Sequence, residues 1–446
     1  MLIRFIVSNF LSFDTEQEFK MIAGNLKTHK EHVYHLPKIN VLKAAAIYGA
    51  NGAGKSNMVR AIEYFSNLIE SGSMTRSIND KKFKLNPKNK NLPVTFEVEF
   101  FRDKKTYSYG LALNNMTIEE EWLVETDVEK EDKLIFERKL TKHSKTTIKV
   151  ADKYQKTQKD KYLFELMEES LLKHHELLIS KSDNLKIKEI KVLKEWNGNL
   201  SIIFPGSKFM HLVHRLATSK SFKAFSNDLL QTFDTGVREL DTEEIDFEKF
   251  ISPMEDDDKE ELMESLQDGK SVALIQSSVG PVLVSPENDK FIARKVVSRH
   301  DSPDGKSVNF DLEEESDGTQ RLLDFIPAFS SILNSQAVII VDEIDQSLHP
   351  VLLKALITKI MKDTKTQGQF IFTTHESNLL DLEIFRQDEI WFIEKDKKTG
   401  SSNAYSLLVF KPRYDLNIQK GYLKGRFGAI PFLANLRDLN WKEVYA

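Results

Sequence analysis

The chain has 446 residues, 40% of them hydrophobic and 29% charged, with a formal net charge of -5 and no cysteine. This composition excludes a disordered chain, a disulfide scaffold and a thiolate metal site, and the length exceeds one compact core, so two or three lobes are expected. No apolar run reaches the length of a transmembrane helix, and the slight acidity confines any nucleic-acid surface to a local patch.

The first residues, MLIRFIVSNFLSFD, alternate apolar and polar side chains and read as a strand rather than a signal peptide. With the missing cysteines, this makes the cytoplasm the expected location. Leu2 to Phe10 and Glu16 to Ile22 are expected to pair. Val41 to Tyr48 is a short buried strand running into a glycine-rich loop and then a helix from about Lys55 to Glu70. After a lysine-rich connector, Val94 to Leu140 carries four aromatic and β-branched segments, which predicts an antiparallel meander. Residues 141–270 turn lysine- and glutamate-rich with helical spacing but no sustained heptad, which predicts a compact helical insertion. Strand patterns return at PVLV, KFIARKVVS and SVNFDLE, and residues 271–410 are expected to form the C-terminal half of the fold begun by residues 1–140. Gln336 to Phe410 then alternates strand, helix, strand, helix, strand, the pattern of a buried parallel sheet. The tail 411–446 has seven basic residues against three acidic ones, interleaved with Tyr422, Phe427 and Phe432. It is suited to touching DNA, a partner or its own head.

Three segments carry chemistry. GANGAGKS, Gly49 to Ser56, fulfils the phosphate-loop pattern G-x-x-x-x-G-K-[ST] between a buried strand and a helix. Backbone N–H groups of Gly49, Asn51, Gly52, Ala53, Gly54, Lys55, Ser56 and Asn57 are expected around nucleotide phosphates. Lys55 supplies a positive charge, and the Ser56 hydroxyl is a ligand for Mg²⁺. AVIIVDEID ends a core strand in Asp342 and Glu343, two carboxylates that are costly there unless they face a cation or a cleft. Asp342 suits Mg²⁺ and Glu343 the attacking water. QFIFTTHES places His375 at the end of what is expected to be the neighbouring strand, where a ring N–H can reach a terminal phosphate. A fourth stretch, ESDGTQR, is locally a helix cap: Ser or Asp at the N-cap and Gly for the bend.

Taken in order, the phosphate loop, the long insertion, the S-x-G-x-Q helix start, the D-E strand with SLHP and the strand ending in His resemble the ABC-type ATPases of the RecF, SMC, Rad50 and OLD group. The segments RQDEIWFIEKD (Arg386 to Asp396) and KGYLKGRFGAIPF (Lys420 to Phe432) are similar to the AAA15/AAA21-type ATPase subunits of bacterial phage-defence systems, among them the PARIS, RloA and abortive-infection proteins. The resemblance implies an α/β ATPase head, with a mixed core sheet flanked by helices and an antiparallel meander. It places Ser316, Asp317, Gly318, Thr319 and Gln320 in a signature motif that acts across a dimer, and Ser347 and His349 in the D-loop. It implies ATP and Mg²⁺ as cofactors and a homodimer or larger homo-oligomer. It further implies a separately encoded, TOPRIM-type nuclease effector, a phage-derived or DNA trigger, and no membrane. The alternative is a RecF- or SMC-like repair ATPase that clamps DNA. Two departures stand out. Asp317 and Thr319 occupy positions that are glycine and glutamine in LSGGQ, and no glutamine lies between Gln17 and Gln155, where the Q-loop ligand is expected. Glu394 and Asp396 share a strand without a following D-x-D, so a built-in nuclease is not expected.

Overall fold

The computed structural model describes residues 1–141, 143, 145–207, 211–266, 272–277, 280–287 and 290–430. The chain divides into two compact units. One comprises 1–203, 336–344 and 356–446, and the other 204–335 and 345–355.

The first unit is organised by a six-stranded sheet in the order Leu200–Ile203, Val338–Val341, Gln369–Thr373, Ala44–Tyr48, Ile390–Lys395, Ser402–Ser406. The first five strands are parallel and the sixth closes one edge antiparallel. Strands buried on both faces read as unbroken apolar runs, and AAAIY, VIIV and QFIFT are buried at every position. The helix Lys55–Ser71 leaves the end of Ala44–Tyr48. Its Phe65 meets Phe5 and Phe96 at ring distances of 5.9 and 5.8 Å, which ties the helix to a seven-stranded antiparallel sheet. That sheet is the expected meander, Val94–Arg102 through Lys133–Leu140, extended by Leu2–Ser8 and Gln17–Lys20 on one side and Thr146–Val150 on the other. In Val94–Arg102 the buried residues Val94, Phe96, Val98 and Phe100 alternate with half-exposed ones, the period of a strand with one face in the core.

The second unit holds five antiparallel strands, Glu239–Ile245, Lys290–Asp301, Gly280–Glu287 and Ala273–Ser277 in order, with Ser307–Asp311 also paired to Lys290–Asp301. Its helices include His211–Thr218, Lys220–Thr232 and Asp317–Asn334. Arg215 joins two of them, donating to the Pro327 carbonyl at 2.9 Å and Ser330 Oγ at 2.8 Å.

The stretch 141–270, expected as one helical insertion, divides between the two units. Its first half, to Ile203, belongs to the first unit and supplies two strands, Thr146–Val150 and the sheet edge Leu200–Ile203. The remainder joins the strands after 270 in the second unit. An edge strand of four residues offers too short an apolar run to stand out from a lysine-rich helical background. The C-terminal half 271–410 is likewise divided between the two units. Only a 3₁₀ turn, Ser377–Leu379, stands where a second helix was expected after His375.

The tail packs on its own core sheet as far as it is described. Tyr422 stacks on Phe392 (5.6 Å, 15°) and Phe427 on the same ring (6.0 Å, 13°), while Lys424 and Arg426 are exposed. Phe432, Arg437 and Lys442 lie outside the described residues. Among the described residues, no helix is long and apolar enough to cross a membrane.

Candidate nucleotide site

In parallel sheets the loops that leave the strand ends form the natural ligand crevice, and here those ends converge. The loop Gly49–Gly54 connects Ala44–Tyr48 to its helix. Gly54 takes φ 112° as the helix N-cap, and a Cβ there would fall 2.4 Å from Ser402 Oγ, so only glycine fits. No side chain caps the helix, which leaves its first N–H groups directed at the loop. Gly49, Asn51, Gly52, Gly54, Lys55, Ser56 and Asn57 line a cavity of about 790 Å³, a size that accommodates a nucleotide. Ala53 is buried instead, its carbonyl accepting from Ser402 Oγ at 2.6 Å.

Lys55 is 5% exposed. Its Nζ donates to the Gly49 carbonyl at 2.9 Å and lies 3.0 Å from His375 Nε2. The lysine and the histidine thus meet, as the strand order requires, because Gln369–Thr373 lies directly beside Ala44–Tyr48. Asp342 follows the next strand over and is 2% exposed, with Oδ1 accepting from Thr373 Oγ1 at 2.6 Å. Glu343 lines the same cavity with its backbone at φ 51°, in the left-handed region, and its N–H donates to Thr373 Oγ1 at 2.8 Å. A positive φ at a glutamate is strained and turns its side chain away from the strand's alternation.

Sequence reasoning missed Thr373. One hydroxyl, donating to Asp342 and accepting from Glu343, fixes both acids, and the Thr-Thr-His run at the strand end was its only trace. Arg60, Ser377 and Tyr422 also line the cavity and were not anticipated.

The signature and D-loop residues lie together in the second unit. Ser316 is the N-cap of Asp317–Asn334, its Oγ accepting from the Thr319 N–H at 3.2 Å. A Cβ on Gly318 would stand 2.9 Å from the Ser347 carbonyl, so glycine at that position permits the close approach of the two segments. Gln320 Nε2 donates to the Glu315 carbonyl at 2.9 Å, and His349 Nδ1 accepts from the Val351 N–H at 3.3 Å. Asp317 opens the helix, where an acid is favoured by the helix dipole. Arg321, one turn along, donates to the Phe204 carbonyl at 3.1 Å and covers the Phe325 ring at 4.5 Å. The possible nuclease acids have structural roles: Glu394 accepts from Tyr405 OH at 3.0 Å, and Asp396 caps the turn at Lys398 and Thr399.

No curated protein sequence matches the chain. Solved structures to which the chain is similar include the SMC head domain from Thermotoga maritima, at 12% identity and a TM-score of 0.38 over 91% of this chain and 98% of that one. An SMC head bound to the C-terminal winged-helix domain of ScpA shares 15% identity at a TM-score of 0.40, over 92% and 99% of the two chains. A Pyrococcus furiosus SMC head bound to the ScpA C-terminal domain shares 15% at 0.42, over 92% and 97%. Residues 44–381 match the family model described as "AAA domain, putative AbiEii toxin, Type IV TA system", and the chain belongs to that family of ATPase domains.

Proposed function

We propose that this protein binds ATP with Mg²⁺ at the phosphate loop, hydrolyses it, and uses ATP-driven association of its own copies to control a separately encoded effector in antiviral defence. The observation that carries the reading is the convergence of Lys55, Glu343 and His375 on one cavity beside the buried Asp342. The donor set Ser56 hydroxyl and Asp342 carboxylate consists of hard oxygens, which suits Mg²⁺. Bound there, the ion supplies positive charge to the phosphate oxygens. The chain's own groups supply the rest. Lys55 exchanges the Gly49 carbonyl for a phosphate oxygen, and the helix N–H groups bind the neighbouring oxygens. Glu343, held by Thr373, orients water and accepts its proton. His375 donates to the terminal phosphate and so distinguishes the triphosphate from the diphosphate.

One lysine and one metal leave a face of the terminal phosphate open, and in this reading Ser316 and Gly318 of a second copy close it. The family description names a toxin of a toxin–antitoxin system, which agrees with defence better than with repair. The test is Glu343→Gln in the full chain. It is expected to keep ATP affinity, lose hydrolysis by on the order of a hundredfold or more, and accumulate as a dimer or larger assembly in light scattering. Adding Ser316→Arg should dissolve that assembly while ATP binding persists, and mass measurement of the complex with the neighbouring gene product reads out the effector. Unchanged hydrolysis in Glu343→Gln overturns the assignment.

A further inference from the structure

A second cluster of titratable groups occupies the other end of the core sheet, around the RQDE segment that the nucleotide site does not use. Strands Ala44–Tyr48 and Ile390–Lys395 run parallel, and the residues just before them, Lys43 and Glu389, are buried. The turn Lys30–His32 lies over this edge and is entered through His29, whose backbone is left-handed (φ 48°, ψ 54°). His32 is 1% exposed, with Nδ1 at 3.0 Å from Glu389 Oε2. That oxygen also accepts the Arg386 N–H at 2.8 Å, and with it as acceptor for His32 as well, Nδ1 carries the hydrogen. His29 Nε2 lies 2.8 Å from the Leu382 carbonyl, which can only accept, so Nε2 carries the hydrogen there. Each ring then has an outer partner for its N–H, the Glu389 carboxyl for one and the Leu382 carbonyl for the other. This is the support that metal-binding imidazoles receive.

The inner nitrogens, His29 Nδ1 and His32 Nε2, are left as lone-pair donors. Glu31 Oε1 stands between them, 3.5 Å from the first and 3.8 Å from the second. All three atoms lie within 4.8 Å of one another. Tetrahedral zinc, with ligands at about 2.0–2.2 Å, sets them roughly 3.4 Å apart, so binding draws the atoms together by up to about 1.4 Å and turns the two rings, which stack at 4.8 Å and 17°, toward a common point. Glu31 is 40% exposed, which gives an ion access from solvent.

We propose that His29, Glu31 and His32 bind one divalent transition-metal ion, zinc by their ligand set. Two imidazoles and a carboxylate are borderline ligands that zinc favours and Mg²⁺ does not. The site is separated from the phosphate loop by the five-residue strand Ala44–Tyr48, about 16 Å of extended chain, so it is independent of the nucleotide's metal. Its effect is to pin the Lys30–His32 turn to the strand that Glu389 begins.

The experiment titrates zinc chloride into the chelator-treated full-length protein by calorimetry and records the visible spectrum with cobalt substituted. One ion per chain is expected, with a four-coordinate cobalt spectrum and a raised melting temperature. Glu31→Gln and His29→Gln, both at partly exposed positions that leave the buried His32–Glu389 contact intact, should each lower zinc affinity by roughly tenfold or more. Wild-type protein that binds no zinc, or variants that bind it equally well, overturn the proposal. Binding that is lost in Asp342→Ala but kept in His29→Gln also overturns it, because the ion then sits at the nucleotide end.

Discussion

The two ends of the core sheet treat buried charge in opposite ways. At the amino end, Arg386 is 1% exposed and fully engaged. It holds Asp388 through two hydrogen bonds of 2.9 and 2.8 Å and donates to the carbonyls of Thr28 and Gly24, both at 2.9 Å. At the carboxyl end, the equally buried Lys55 and Asp342 line up with a backbone carbonyl, a histidine ring and a threonine hydroxyl around the cavity. Charges that satisfy one another hold a fold together. Charges set apart along the rim of a cavity are arranged for something that enters it.

The sharpest way to break that contrast is to remove one charge from each end. Arg386→Met should cost the most, about 3–5 kcal/mol of stability, because it strands the buried Asp388 and two carbonyls. Chemical denaturation would read this, and a loss below about 1 kcal/mol would show that the network is dispensable. Lys55→Met removes a charge that meets the Gly49 carbonyl and the His375 ring at the rim of the cavity. The unfolding midpoint should hold or rise, while ATP turnover falls by about a hundred- to a thousandfold. If Lys55→Met unfolds the protein as readily as Arg386→Met does, the two ends do not differ in the way proposed.

The contrast also explains what could be read from the sequence. GANGAGKS constrains backbone dihedrals and helix start at once, so the loop Gly49–Gly54 and the helix that follows it were legible. The acids Asp342 and Glu343 were legible because charge after VIIV contradicts burial. His375 needed only the rule that successive parallel strands lie side by side. The division into units was not legible, since Leu200–Ile203 and Gln336–Ile344 join the first unit only through sheet pairing distant in sequence. The pattern His29-x-Glu31-His32 was present but was not singled out. Its meaning depends on Glu389, 357 positions from His32 along the chain, which no local pattern supplies.

Thr373 is the finest test of how the carboxyl end works. A threonine after FIF invites no comment in a strand, where β-branched residues are favoured on propensity alone. Its hydroxyl nevertheless serves Asp342 with its hydrogen and the Glu343 N–H with its lone pair. Thr373→Val keeps the shape and removes both bonds, leaving a buried carboxylate oxygen and a buried N–H each short of a partner, at about 1–2 kcal/mol in total. If Thr373 only stabilises the strand, that loss appears in denaturation and turnover per folded molecule is unchanged. If it positions Asp342 and Glu343, turnover falls by about tenfold and the Mg²⁺ concentration at half-maximal rate rises. Thr373→Ser, which keeps the hydroxyl and drops the methyl, should restore both readouts while still costing a little stability. The methyl belongs to the fold and the hydroxyl to the site.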